Sequence, residues 1–195
     1  MRMKIITQIE ALEKLKTGKP IIFQTDTLPA IACLPEYSNI IYKIKKRDKN
    51  KALILMAAQI KQVLDYVDND ARDDFQKVAE KFWPGPLTLI IPIRKNKSLN
   101  FISNENTLGI RIPDSLIARS LILETGPLAT SSANISGLDT SFVAESVSKD
   151  LPDVDLLGPV PWEECSGLGS TIISWAKDGK WSLVREGHIP ITKII

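Results

Sequence analysis

The chemistry open to this chain starts with its cations. Lys45, Lys46, Arg47, Lys49 and Lys51 crowd one junction, and Arg111 and Arg185 fall in segments that read as strands. Lys45 and Arg47 are too close in sequence to share one face of an intact helix. An unwinding helix end there would present a fork of cations to phosphate. The same run also reads as a solvated turn whose lysines complement the negative end of a helix dipole. Arg111 stands between Ile110 and Ile112. Unless that side of the strand faces solvent, its guanidinium needs an ion pair or an anionic ligand. Arg185 poses the same choice.

A second group is uncharged. Ser131-Ser132-Ala133-Asn134-Ile135-Ser136-Gly137 sets hydroxyls, an amide and a glycine just beyond a strand pattern, and Ser170-Thr171 repeats the hydroxyl pair. Loops of this kind at strand ends suit a nucleotide or an amino acid. They are also good turn formers, with Asn134 able to close a local side-chain-to-backbone bond.

Other engines are missing. The chain has no Gly-x-x-x-x-Gly-Lys-Ser/Thr, no Gly-x-Ser-x-Gly and no complete Gly-x-Gly-x-x-Gly; Gly167-Leu168-Gly169 lacks the third glycine. A single histidine, His188, sits in a polar turn near the C-terminal end, and Cys33 and Cys165 are far apart. Neither a Ser-His-Asp or Cys-His arrangement nor a zinc site follows from these, and Cys33 is assigned to the core. Position and charge remain as the means of catalysis.

The elements that must position these groups follow from pattern. With 195 residues, 44% of them hydrophobic, one domain over 1–195 is expected. A net charge of +2 excludes a polybasic protein. The absence of a leader-like segment or a bilayer-length apolar run, together with two separated cysteines, points to a reduced cytoplasmic setting without a membrane partner. Short β-branched runs alternate with amphipathic stretches, the pattern of an α/β (α+β) fold.

Helices are expected at Gln8 to Lys16, with Ile9, Leu12 and Leu15 inward, and after Ser38, with Ile40, Ile41 and Ile44 inward. Others are expected over Gln59 to Tyr66, Asp70 to Phe82, and Ser115 to Glu124 capped by Asp114. Strands are expected at Pro20 to Phe23, Ala52 to Ala58, Leu87 to Ile93, Thr107 to Ile112, and after Gly126-Pro127 up to Ser132. Ser170 to Trp175 and Trp181 to Arg185 should form a hairpin through the Asp178-Gly179 turn.

Five segments in this order resemble the YrdC-like family of threonylcarbamoyl-AMP synthases. They are Thr25-Asp26-Thr27, Lys45-x-Arg47 with Lys51 before Leu53-Ile54-Leu55, Trp83-Pro84-Gly85-Pro86-Leu87-Thr88, Gly109-Ile110-Arg111-Ile112-Pro113, and Ser132-Ala133-Asn134-Ile135-Ser136-Gly137. Ser170-Thr171 and Arg185 with Gly187 match the closing segments of the short, single-domain form.

The resemblance implies an open twisted mixed sheet flanked by helices, with a large basic cavity. It implies that threonine, bicarbonate and ATP, carried with Mg2+, give threonylcarbamoyl-AMP and pyrophosphate for N6-threonylcarbamoyladenosine in tRNA. By the same resemblance Lys45 and Arg47 are catalytic, and with Lys51, Ser132, Asn134, Ser170 and Arg185 they bind ATP. Thr25, Arg111 and Ser136 hold L-threonine, with Arg111 on its carboxylate. A downstream threonylcarbamoyl-transferase complex would collect the adenylate. The chain departs from the family at Leu28-Pro29-Ala30-Ile31-Ala32, where the pattern has a tyrosine and two glycines. Pro29 has no backbone donor and the alanines resist positive φ, so another amine substrate for the same adenylate chemistry is one alternative. A non-catalytic module binding double-stranded RNA or tRNA is the other.

Overall fold

A computed structural model describes residues 3–94, 99, 102, 103 and 106–194. The first helix, α1 (Gln8–Lys16), opens on a reciprocal cap in which the Thr7 hydroxyl accepts from Glu10 N and the Glu10 carboxylate accepts from Thr7 N. It follows β1 (Ile5–Ile6) and precedes β2 (Ile21–Phe23) and β3 (Ala30–Cys33). Then come α2 (Asn39–Lys45), β4 (Ile54–Met56), α3 (Arg72–Phe82), β5 (Leu87–Pro92) and β6 (Thr107–Arg111). The second half runs through α4 (Leu116–Thr125), β7 (Leu128–Ser132), α5 (Ala144–Asp150), β8 (Asp155–Leu157), β9 (Thr171–Trp175) and β10 (Trp181–Arg185).

Among the described residues the strands form one sheet in the order β1-β8-β2-β3-β7-β4-β6-β5-β9-β10. It is mixed. β8 lies parallel to both β1 and β2, β4 parallel to β6 and β5 parallel to β9, while β2–β3, β3–β7, β4–β7, β5–β6 and β9–β10 are antiparallel. The mixed α/β architecture and the β9–β10 hairpin are as expected, the latter turning through Gly179 at φ 78°.

Several local expectations are corrected. Gln59 to Tyr66 is not an α-helix but holds a single 3-10 turn at Ile60–Gln62, because the Gln62 Oε1 accepts from Ala58 N and Gln59 N and closes the turn locally. The next helix starts at Arg72, after a separate 3-10 turn at Asn69–Ala71. Ser115, not Asp114, caps α4, its hydroxyl accepting from Ala118 N at 3.3 Å. In α1 the inward residues are Ala11 and Leu15, while Ile9 is 72% exposed. β3 and β8 had no forecast of their own. β3 lies in the stretch where the chain departs from the family pattern, and β8 is only three residues long.

The two faces of the sheet are buried differently, because alternate strand residues point to opposite sides. One face packs Ile31, Leu55, Leu89 and Ile110 with Ile41 of α2, Phe75 of α3 and Val147 of α5 in a single large cluster. The other packs Ile21, Phe23, Ala32 and Leu128 against Leu15 of α1 and Leu121 of α4. Among the described residues this second cluster draws nothing from β5, β6 or β9. α1 and α4 therefore cover one end of that face and leave the other end open.

Candidate functional site

On the open part of that face lies a cavity of about 340 Å3. Its floor is built by strand alternation: Ile54 and Met56 of β4, Gly109 and Arg111 of β6, Thr88 and Ile90 of β5, Thr130 and Ser132 of β7, and Ile172 of β9. All share one side of the sheet, since Ile54 pairs with Gly109 and Thr130, Arg111 with Met56, and Ile90 with Gly109.

Three guanidiniums reach this space from distant parts of the chain: Arg47, Arg111 and Arg185. Lys46 turns the chain out of α2 with a left-handed backbone, φ 50° and ψ 41°, and releases Arg47 from the helix. The Arg47 side chain then binds the carbonyls of Lys51 at 3.1 Å and Ala52 at 2.9 Å, and among the described residues no carboxylate lies within ion-pair range of it. Arg185 donates to the Ser170 carbonyl at 2.7 Å, and the Ser170 hydroxyl meets that of Thr88 at 2.8 Å. The closing segment is fitted tightly here, because a Cβ on Gly187 would lie 2.2 Å from the Gly169 carbonyl oxygen.

Arg111 is different. It is 3% exposed and spends its donors on Asp26 at 2.6 Å, on the Thr27 hydroxyl at 2.7 Å and on the Gly85 carbonyl at 3.1 Å. Burial lowers its pKa and Asp26 works the other way, with Arg185 nearby adding repulsion. Among the described residues no aspartate or glutamate lines the cavity itself. Among the described residues two of its three guanidiniums thus lack a counter-ion, an arrangement that an anionic ligand relieves.

Lys45 is 1% exposed and points into the wall rather than the space. Its ammonium donates to the carbonyls of Ser132 at 2.5 Å and Asn134 at 2.6 Å and to the Asn134 Oδ1 at 3.0 Å, so all three protons are engaged. Burial first, then the charge of Arg47, lower it to about 8. The Lys45 carbonyl accepts from Ser136 N at 2.8 Å, and the Ser132 hydroxyl donates to the Asn134 Oδ1 at 2.6 Å. α2 and the loop after β7 are tied together through this one residue.

Of the ten residues expected at the site, Arg47, Arg111, Ser132, Ser170 and Arg185 line the cavity. Lys45 and Asn134 stand directly behind its wall, and Ser136 joins them through its backbone. Lys51 contributes its carbonyl to Arg47, while its side chain is exposed. Thr25 is buried and faces a second hollow of about 460 Å3 on the far side of the Thr25–Leu28 segment. Asp26, Thr88 and Gly109 had no assigned role, although all three lie inside the motifs. The usable signal is polar or small residues at alternate positions of otherwise apolar strands. Cys33 is fully buried, its thiol pushed up to about 12 by burial, and belongs to the core.

These features define an α/β protein whose open sheet face carries a cavity lined by three arginines. The family model Sua5/YciO/YrdC, described as "Telomere recombination", matches residues 13–187, and the chain belongs to this family. A threonylcarbamoyl-AMP synthase of Psychromonas ingrahamii is 33% identical over 88% of this chain and 93% of its own length. One from Bacillus subtilis is 34% identical over 89% of this chain, but the match spans only 51% of that longer protein. The crystal structure of P. abyssi Sua5 complexed with L-threonine superposes with a TM-score of 0.86 at 24% identity, covering 100% of this chain and 60% of that one.

Proposed function

We propose that this chain is a threonylcarbamoyl-AMP synthase. Threonine and bicarbonate condense with loss of water to an N-carboxylated amino acid, and a carboxylate oxygen of that group attacks the α-phosphorus of ATP. The bond to pyrophosphate breaks, leaving threonylcarbamoyl-AMP, pyrophosphate and water. The observation that carries this reading is the convergence of Arg47, Arg111 and Arg185 on a cavity that has no lining carboxylate among the described residues. The relatives supply the name of the reaction, and the cavity supplies the means.

No side chain here serves as a covalent nucleophile. The reaction is promoted by holding two anions together and stabilising charge as pyrophosphate leaves. Arg47 donates hydrogen bonds to the phosphates and is fixed from behind by the carbonyls of Lys51 and Ala52, and Arg185, held by Ser170, meets the nucleotide from the opposite wall. Arg111 takes the threonine carboxylate with whatever donor geometry Asp26 leaves it, and the Thr27 hydroxyl lies beside that end. ATP enters as its Mg2+ complex. Among the described residues no three His, Cys, Asp or Glu side chains cluster to hold a metal, so phosphate oxygens and water would be its ligands.

The product serves tRNA modification through a separate transferase. No helix among the described residues is long and apolar enough to cross a membrane. The test is pyrophosphate release by the purified chain with threonine, bicarbonate and ATP-Mg2+. Release that depends on both threonine and bicarbonate is expected. ATP turnover indifferent to threonine would overturn the assignment, and RNA binding that ATP does not compete with would favour a binding module instead.

A further inference from the structure

The connection from β8 to β9 joins two strands that have six others between them in the sheet. Its first half alternates. Val160 and Trp162 pack against the large core cluster, while Pro159, Pro161 and Glu163 line the second hollow, outside Thr25 and Asp26. The two prolines have no N–H to give to a neighbouring strand. Among the described residues, the hydrogen bonds of residues 159–165 are the two that the Gln24 side chain makes with Glu163. Gln24 Nε2 donates to the Glu163 carbonyl, and Gln24 Oε1 accepts from Glu163 N at 3.1 Å. One side-chain amide thus does what a strand edge would do.

Gln24 is itself fixed from the other side, because its carbonyl accepts from the Ser115 hydroxyl at 3.1 Å at the start of α4. Two residues on stands Asp26. Its Oδ1 accepts from Arg111 at 2.6 Å, and its Oδ2 is buried with no hydrogen-bond partner among the described residues. A buried pair of this kind keeps its strength and direction only while water is kept from it. The segment that Gln24 holds stands on the outer side of this wall, across the second hollow. Arg111 meets the cavity with the donors that Asp26, the Thr27 hydroxyl and the Gly85 carbonyl leave it, so a shift of Asp26 re-aims the guanidinium.

We propose that Gln24 is a positioning residue for the amino-acid end of the cavity. Its amide latches the 159–165 segment over Asp26 and so holds Arg111 in the direction that a substrate carboxylate needs. Gln24 lines only the second hollow and acts through Asp26 and Arg111; the inference rests on the function proposed above. Gln24→Met keeps the length of the side chain and removes both hydrogen bonds. Gln24→Glu keeps the acceptor for Glu163 N and loses the donor to the Glu163 carbonyl. Each is to be compared with the wild type by hydrogen exchange over residues 159–165 and by pyrophosphate release with threonine and ATP varied separately. Exchange of the Glu163 amide should quicken in Gln24→Met. In both variants the KM for threonine should rise by about tenfold, the effect of one weakened bond to a charged group, while kcat and the KM for ATP stay within about twofold of the wild type. Unchanged exchange in Gln24→Met would remove the latch. Quickened exchange with an unchanged or lowered threonine KM would remove the positioning role and leave the enzyme assignment standing. A parallel loss for threonine and ATP, with a lowered melting temperature, would make Gln24 a structural residue only. A wild type with no threonine-dependent release would remove the enzyme assignment and this inference with it.

Discussion

Two hollows flank the Thr25–Leu28 segment, and they are opposites. The one on the open sheet face measures about 340 Å3 and gathers three arginines with no lining carboxylate among the described residues. The other is larger, about 460 Å3, and gathers Asp26, Asp114, Glu163 and Glu164 around Thr25, Ser115 and Pro159. Size alone would choose the second. Rigidity and charge choose the first, because its floor is built on five neighbouring strands, β7, β4, β6, β5 and β9, whereas Glu163 and Glu164 are exposed on a loop. Solvated carboxylates lose little by being near one another, while cations held in place on a sheet face keep their field for a ligand.

Asp26 belongs to both sides. It lines the acidic hollow, yet its Oδ1 binds Arg111 at 2.6 Å and accepts from Asp114 N at 3.1 Å. Removing it strands a buried guanidinium, which is the costly way to break an ion pair. Asp26→Ala should therefore lower unfolding free energy by about 3–5 kcal/mol, read as a shift of the denaturant midpoint at constant slope. A loss below about 1 kcal/mol, the range of an exposed pair, would mean that Arg111 does not depend on this partner and that the wall between the hollows is not held by it.

Arg47→Ala sharpens the contrast from the other side. Arg47 is anchored by backbone carbonyls and not by a carboxylate, so its loss leaves no orphaned charge and the fold should be kept. Pyrophosphate release should nonetheless fall by about 10²–10³-fold, as for the loss of one preorganised donor at a reacting group. A rate within about tenfold of the wild type would move the phosphates away from this end of the cavity.

Much of this was legible before any coordinates, for a physical reason. Each motif lies at the end of a strand or a helix, and chain pattern locates such ends well. Arg47, Arg111 and Arg185 were recognisable as cations looking for partners. What pattern does not carry is the direction of a side chain across the fold. Lys45 sits in the same basic run as Arg47, yet it turns inward to three acceptors on a loop 87 and 89 residues away in the sequence. β8 was invisible because three residues carry no period, and it exists by pairing in parallel with β1 and β2. Asp26 was invisible as a partner because nothing local ties it to Arg111, 85 positions on.

Lys45 gives a smaller and pH-dependent effect. Its pKa in the folded chain is about 8, below the usual lysine value. The charged form predominates below pH 8 and is lost as pH rises through it. Losing the proton removes a donor from the Ser132–Asn134 wall and a charge from beside Arg47, so ATP affinity should weaken across that interval. Folding runs the other way. The unfolded chain holds this proton up to the ordinary lysine value, so the strain of burying the charge is relieved between about pH 8 and 10.5. Lys45→Arg, which cannot deprotonate in this range, should flatten the binding profile if it folds. Lys45→Met should weaken ATP by about 1.5–3 kcal/mol below pH 8 and by progressively less above it. A wild-type profile that is flat from pH 7 to 9 would place Lys45 outside any coupling to the ligand.

The smallest effect is expected where carboxylates are most abundant. Glu163 and Glu164 face the acidic hollow with exposed side chains, and the segment is held through the Glu163 backbone, whose N–H donates to Gln24 Oε1 at 3.1 Å. Substituting glutamine at both positions leaves that backbone bond in place and removes two charges from the surface. Stability should change by no more than about 0.5 kcal/mol, and threonine-dependent pyrophosphate release should match the wild type. The measurement separates geometry from mere charge, because the hollows share the Thr25–Leu28 wall and a long-range field from the acidic side would be felt across it. If neutralising the pair raised ATP affinity strongly at low salt and not at high salt, repulsion from these carboxylates would be part of how the cationic cavity meets its ligand. If the two salt conditions agree, the arginines act by contact alone.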